Sequence, residues 1–216
     1  MFSRLGRAFV SGTEVRMLSM RAAVAPALLV LLALAASCEF PFSLRDSELP
    51  TGSSTQIIPA TEPGALLSNL INSIENRDAS SYGAQLAADF IFVADQIDVA
   101  ALEQYYPGVF SNWDVTVERD VTNYMLDNAR CTLGLLSFAD QAEIENTATI
   151  YTVQLSYQLN LKLVGVLQGY SGQARIFMRK AVDDNLWHIY RWEDIKLQDA
   201  QRDTWGLIRG RIRATK

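Results

Sequence analysis

A chain of 216 residues that is 49% hydrophobic and 20% charged, with 12 glycines and 6 prolines, has the composition of a globular protein and excludes a fibrous or disordered one. The net charge is −5; residues 1–37 hold four arginines and one glutamate, which leaves 15 basic and 23 acidic side chains beyond them, net −8. Such a surface repels phosphate backbones, so nucleic acid is not expected as a partner.

Cys38 and Cys131 are the two cysteines and His188 the one histidine. A zinc site needs about four ligands, mostly Cys and His, so no metal centre of that kind is expected. No GxSxG, glycine-rich phosphate loop or histidine-paired nucleophile occurs, and no cofactor is expected.

Ala22 to Ser37 is a run of 16 residues without charge, preceded by Met20-Arg21 and ending in small residues. That is the layout of a secretory signal, and the run is shorter than the roughly 20 apolar residues of a spanning helix. Its end, Leu34-Ala35-Ala36-Ser37-Cys38, resembles the lipobox of bacterial lipoproteins, with Ala35 where that family prefers Leu, Val or Ile. A plain signal peptide or an uncleaved anchor with a chance cysteine is the alternative. The resemblance implies cleavage before Cys38, a lipid on its thiol, and a place in the bacterial cell envelope, attached to a membrane. Glu39 is not the aspartate that holds enteric lipoproteins at the inner membrane, which favours the outer membrane or periplasmic face in a Gram-negative cell. Residues 1–16 are long and unlike the basic start of a signal, which makes Met17 or Met20 the candidate alternative start. Residues 38–62, rich in Pro, Ser, Thr and Gly, read as the lipidated cysteine and a flexible tether.

From Pro63 the apolar period is helical. Leu66, Leu67, Leu70, Ile71 and Ile74 form one stripe, with Thr61 or Glu62 as cap and Pro63 in the first turn. Asp78 predicts a second helix through Leu86, and Phe90 to Val93 a buried strand. Asp98 predicts the cap of a helix carrying Val99, Leu102 and Tyr106. Ser111 and Asp114 have capping-box spacing ahead of a helical stripe through Val117, Val121, Tyr124 and Met125. After Asn128 the period changes to two. Tyr151 to Leu163 alternates apolar odd positions with polar even ones, and Cys131–Phe138, Gln173–Lys180 and Leu186–Ile195 supply further strands, with a hairpin turn at Asp183-Asp184-Asn185. Helices followed by hairpin-linked strands predict an α+β fold, N-terminal helices on a curved, mainly antiparallel sheet.

The stretch Asn76-Arg77-Asp78, Tyr82, Leu86, Asp89-Phe90 and Phe92, followed by Trp187, Ile189, Trp192 and Asp194, resembles the nuclear transport factor 2-like superfamily over residues 63–197. The superfamily also holds ketosteroid isomerases, polyketide cyclases and scytalone dehydratase. The resemblance implies a cone whose mouth opens between helices and sheet. It implies no catalytic set, because no position here matches the isomerases' aspartate base and oxyanion donors. Residues 198–216 stand outside it as a basic extension. Arg202, Arg209, Arg211, Arg213 and Lys216, spaced along that tail, read as solvated.

Candidate pocket residues are Tyr82, Asp89, Tyr124, Tyr151 and Tyr157, with Tyr105 a further tyrosine able to reach a cavity. Glu118 is a possible pocket carboxylate that reads as solvated on the outer side of its helix. His188 lies by alternation with Tyr190, away from Trp187 and Ile189, and the aromatic phase changes near Arg191-Trp192, where a bulge fits. The leading expectation is a non-catalytic envelope lipoprotein that binds a small apolar or amphipathic ligand, or a protein partner. A lyase or isomerase working in the cone comes second, and a structural module dimerising through its sheet third. An acid and a tyrosine converging in a closed cavity favour the enzyme, an apolar cavity favours binding, and a filled cone favours the structural module.

Overall fold

The long period-two run builds the centre of the molecule. The computed structural model describes residues 57–197 and 201–216, so the apolar leader, Cys38 and most of the tether lie outside the described residues. Strand β3 (Ile150–Leu163) buries Val153, Leu155, Tyr157, Leu159 and Leu161 on one face and turns Gln154, Ser156 and Gln158 to the other. It pairs antiparallel with β2 (Cys131–Asn146) and β4 (Val166–Lys180), and β4 pairs antiparallel with β5 (Trp187–Ile195). Strand β1 (Leu86–Val93) closes the order β1-β5-β4-β3-β2 and runs parallel to β5. The expected α+β class and mainly antiparallel sheet are what the chain adopts.

The helices cover the inner face. Helix α1 (Pro63–Glu75) has Pro63 in its first turn and buries Leu66, Leu67, Leu70 and Ile74. Asp78 caps α2 (Ala79–Ala84) by accepting from the Ser81 amide at 2.9 Å. That helix stops before Leu86, which starts β1 instead, because Leu86 pairs with Ile189 of β5. Helix α3 (Gln96–Glu103) is capped by Asp95, not by Asp98. Asp98 is in its first turn and fully buried, where its carboxylate has other work. Helix α4 (Val115–Leu126) is capped by Asp114, which accepts from Thr116 and Val117. Asp114 is thus the cap itself and not the third residue of a box begun by Ser111.

The tail read as a solvated extension is part of the core. After β5 the chain runs beside β4, where the Ser171 amide donates to the Asp203 carbonyl at 3.0 Å, and then forms helix α5 (Trp205–Thr215). An amphipathic helix buries one stripe, but here Trp205, Gly206, Leu207, Ile208, Arg209 and Gly210 are all buried in succession. The side chains at Gly206 and Gly210 are missing for a reason. A Cβ at Gly206 would meet Asp194 and Phe92, and one at Gly210 would meet Phe110 and Leu102. Backbone at these two places lies where side chains would otherwise be.

Candidate functional site

The inside of the cone is formed by inward positions of three strands: Phe92 on β1, Tyr157 on β3, and Trp192 and Asp194 on β5. Tyr82 on α2 and Glu118 in the first turn of α4 face it from the helical side. Into this space α5 delivers Trp205 and Arg209, neither of which is exposed at all. The Trp205 ring stands edge-on to Trp192 (centroids 5.1 Å apart) and to Tyr157 (6.0 Å) and tilts against Tyr82 (6.4 Å).

One turn further on, the Arg209 guanidinium sits among Trp205, Phe92 and Trp192, at 4.3, 4.7 and 4.9 Å from their ring centroids. Its Nη2 lies 2.9 Å from Glu118 Oε1 and donates to the Tyr82 hydroxyl at 2.8 Å. Nε and Nη1 have no hydrogen-bond acceptor, and the three ring faces supply the electron density they meet. Glu118, in contrast, is engaged on both oxygens. It accepts from Tyr82 at 2.7 Å on one oxygen and from Trp113 Nε1 at 2.8 Å on the other. Burial works against the Arg209 charge, and Glu118, Tyr82, Asp194 and Tyr157 together outweigh it, so its pKa stands above the ordinary value. Burial, reinforced by Glu118, raises that of Tyr82.

The first turn of α5 is held amide by amide. Trp205 N donates to the Tyr157 hydroxyl at 2.8 Å, Gly206 N to Asp194 at 2.5 Å, and Leu207 N to Thr204 Oγ1 at 2.9 Å. The Thr204 hydroxyl in turn donates to Asp98, which also faces Lys196 Nζ at 3.5 Å. Helix N-termini carry unsatisfied donors and partial positive charge, and here both are met by buried acceptors of the domain. Burial raises the pKa of Asp194 to about 6, with Arg209, Tyr157 and the Gly206 amide pulling the other way. Burial also raises Asp98, and Thr204 and Lys196 partly offset it.

The five expected pocket residues separate into two groups. Tyr82 and Tyr157 do reach the cone, but their hydroxyls are engaged with Glu118, Arg209 and the α5 backbone. Asp89 is on the surface, and Tyr124 and Tyr151 pack half-buried against the edge of the core. Asp89 is exposed and paired with Arg179 of β4 (2.8 Å), which holds its carboxyl below the usual range. Tyr124 lies under the Arg130 guanidinium (4.1 Å) and accepts from it at 2.7 Å. Tyr151 is at the start of β3, where burial and Glu143 raise its hydroxyl. Tyr105 is 71% exposed.

Glu118 is the reverse case, read from its helix face as solvated and found fully buried. Its helix enters the core with its first turn, and Arg209 gives the carboxylate a partner there. His188 is on the outer face with its Nε2 2.9 Å from Asp184, and the register slips between Ile189 and Arg191, so Tyr190 is the bulged residue. That is one residue from where the aromatic phase change placed it. Among the described residues no group of three or more His, Cys, Asp or Glu side chains is placed to hold a metal ion.

Trp205 and Arg209 thus plug the inside of the cone, and outside this plug an open groove of about 620 Å³ runs along β1, α3 and the loop before α4. Ile91, Phe92, Val99, Phe110, Asn112 and Trp113 are among the residues that line it, Phe92 and Trp113 being buried and Asn112 exposed.

No protein-family description matches the chain, and no curated protein matches it in sequence. Solved structures do match in fold. A nuclear transport factor 2-like superfamily protein from Salmonella enterica serovar Typhimurium LT2 is 12% identical, covering 63% of this chain and 89% of that one, TM-score 0.45. A nuclear transport factor 2-like protein of unknown function in nutrient uptake from Rhodospirillum rubrum is 10% identical, covering 63% and 98%, TM-score 0.49. The β subunit of the benzoate 1,2-dioxygenase from Burkholderia mallei is 12% identical, covering 65% and 91%, TM-score 0.48.

Proposed function

We propose that this chain is a lipid-anchored structural module of the cell envelope, a cone-fold domain that holds its own C-terminal helix where a small ligand would otherwise bind. One observation carries the reading: Trp205 and Arg209 fill the cone, with Arg209 neutralised by Glu118 and wrapped by three aromatic rings. A substrate or apolar ligand in that space would have to displace a buried ion pair and a buried indole. Both are costly to expose. The anchor rests on the run Leu34 to Cys38, and with it the domain works at a membrane surface.

Native mass spectrometry of the purified chain tests the filled cone. The expected mass is that of the protein and its acyl groups alone, and a stoichiometric small molecule whose binding changes with Trp205→Ala would overturn it. Labelling cells with a clickable fatty acid tests the anchor separately. Label should be lost in Cys38→Ser, and label retained there sinks the assignment.

A second reading keeps a small amphipathic ligand but moves it to the groove outside the plug. Its lining of Phe92, Phe110 and Trp113 with the exposed Asn112 favours burial of a flat apolar group plus a few hydrogen bonds.

A further inference from the structure

The turn between β3 and β4 is made by Val164 and Gly165, both at left-handed φ, +48° and +83°. Leu163 pairs with Val166 across it, so this is a two-residue hairpin turn. Such turns take Asn-Gly or Asp-Gly, because an L residue with a side chain branched at Cβ is strained at positive φ. Val164 is not compensated by burial, being 79% exposed, and Val166 and Leu167 are 57% and 61% exposed. On the outer face of the sheet the apolar surface continues, for Leu133, Lys162 and Leu167 form one cross-strand row and Leu133 is also exposed.

The charges around this tip are basic, against the acidic balance of the chain. Lys162 is exposed between Leu133 and Leu167. Arg130 accepts the Val164 amide on its carbonyl at 2.7 Å, and the Arg202 guanidinium lies over Gly169. Two acids stand beside them, Asp127 at 3.8 Å from Arg130, whose guanidinium also bonds Tyr124, and Asp203, next to Arg202 in the chain, so Lys162 is the basic group with no acidic partner among the described residues. The hairpin at the other end of β4 is the opposite in character: Val182 is fully exposed there beside Asp183 and Asp184.

We propose that the Val164 tip is a membrane-contact prong, dipping its apolar side chains into the headgroup boundary of a bilayer while Lys162 and its basic neighbours meet anionic lipids. A strained, exposed, apolar turn with a basic rim has the chemistry of an interfacial anchor. A protein partner fits less well, since a stable interface takes about 20 residues a side and this prong offers a handful. The contact adds to the tether at Cys38 and does not require its lipid.

The experiment uses the full chain with Cys38→Ser and an environment-sensitive dye on Leu167→Cys, or on Val182→Cys as control, Cys131 being buried. On phosphatidylglycerol vesicles the dye at 167 should shift to the blue and be quenched by nitroxide lipid, while the dye at 182 stays aqueous. Lys162→Gln should weaken the effect about fivefold, the loss of one charge at an anionic surface. Val164→Asn, which suits the turn better, should be at least as stable as the parent and yet lose most of the insertion. An aqueous spectrum at 167 with vesicles present overturns the proposal. So does a blue shift without vesicles that grows with protein concentration, which would assign the tip to a second copy. Because acylation is read on Cys38 and insertion on residue 167, failure of one is distinguishable from failure of the other.

Discussion

Arg209 of α5 and Glu118 of α4 form an ion pair of 2.9 Å with neither side chain exposed to solvent. Removing one member of such a pair leaves a bare charge in the core, which costs about 3–5 kcal/mol. Arg209→Met should therefore be strongly destabilised. Adding Glu118→Gln removes the bare charge while its carbonyl still accepts from Trp113 and its amide can donate to the Tyr82 hydroxyl, so the double variant should be more stable than Arg209→Met alone. Urea midpoints read both, and a double variant weaker than the single would mean the pair is not what holds α5.

Trp205 is the indole at the centre of the plug. Trp205→Ala should cost about 3–5 kcal/mol, as a large core truncation does. Gly206→Ala should unseat the same turn by a different route, because its Cβ would meet Asp194 and Phe92. Hydrogen exchange at the Trp205, Gly206 and Leu207 amides separates a local opening from a global loss. In Gly206→Ala these amides should exchange before those of β3. Uniform acceleration across both elements would show that α5 does not open on its own.

The elements of the fold were legible where one periodicity ran long. β3 alternates over its whole length, α1 carries an unbroken stripe with Pro63 in its first turn, and the family resemblance joined them into a cone. The short caps were harder, since Asp98 stands directly before the apolar Val99 while the actual cap, Asp95, stands before Gln96, and only tertiary contact with Thr204 shows that Asp98 is buried. The contents of the cone were not legible. Five basic residues among the last 15 read as a solvated tail, and the counter-signal, Trp205-Gly206 followed by Gly210 one turn later, has meaning only once a cavity of matching shape is known. Glu118 failed for the same reason. A carboxylate reads as exposed until the arginine that neutralises it, 91 positions away in the chain, is placed beside it.

Strand β3 offers a test of register that is independent of α5. Leu155 is fully buried toward the helices, so Leu155→Ala should cost about 2–5 kcal/mol. Gln154 is on the outer face, where it bonds Gln173 and Arg175, and Gln154→Ala should cost about 1 kcal/mol or less. Equal losses of melting temperature would mean that the strand is displaced by one residue.

The last expectation concerns pH and follows from Asp194. Its carboxyl is wholly buried with a pKa raised to about 6, while in the unfolded chain it titrates at the ordinary 3.8. The folded state therefore holds the proton more tightly than the unfolded one. The stability this confers is fully present below about pH 4, where both states are protonated, and is lost as the pH rises through 6. A shift of that size corresponds to roughly 3 kcal/mol. Asp194→Asn keeps an acceptor for the Gly206 amide but carries no titrating proton, so the loss should be absent from it. Measured by urea unfolding, the stability of Asp194→Asn relative to the parent should rise between pH 4.5 and pH 7.5. Arg209 favours the ionised carboxylate, so the gain should be larger still when Arg209→Met is the background. A gap between variant and parent that is the same at both pH values would show that Asp194 does not change its proton between them, and that α5 is seated by packing without help from this carboxyl.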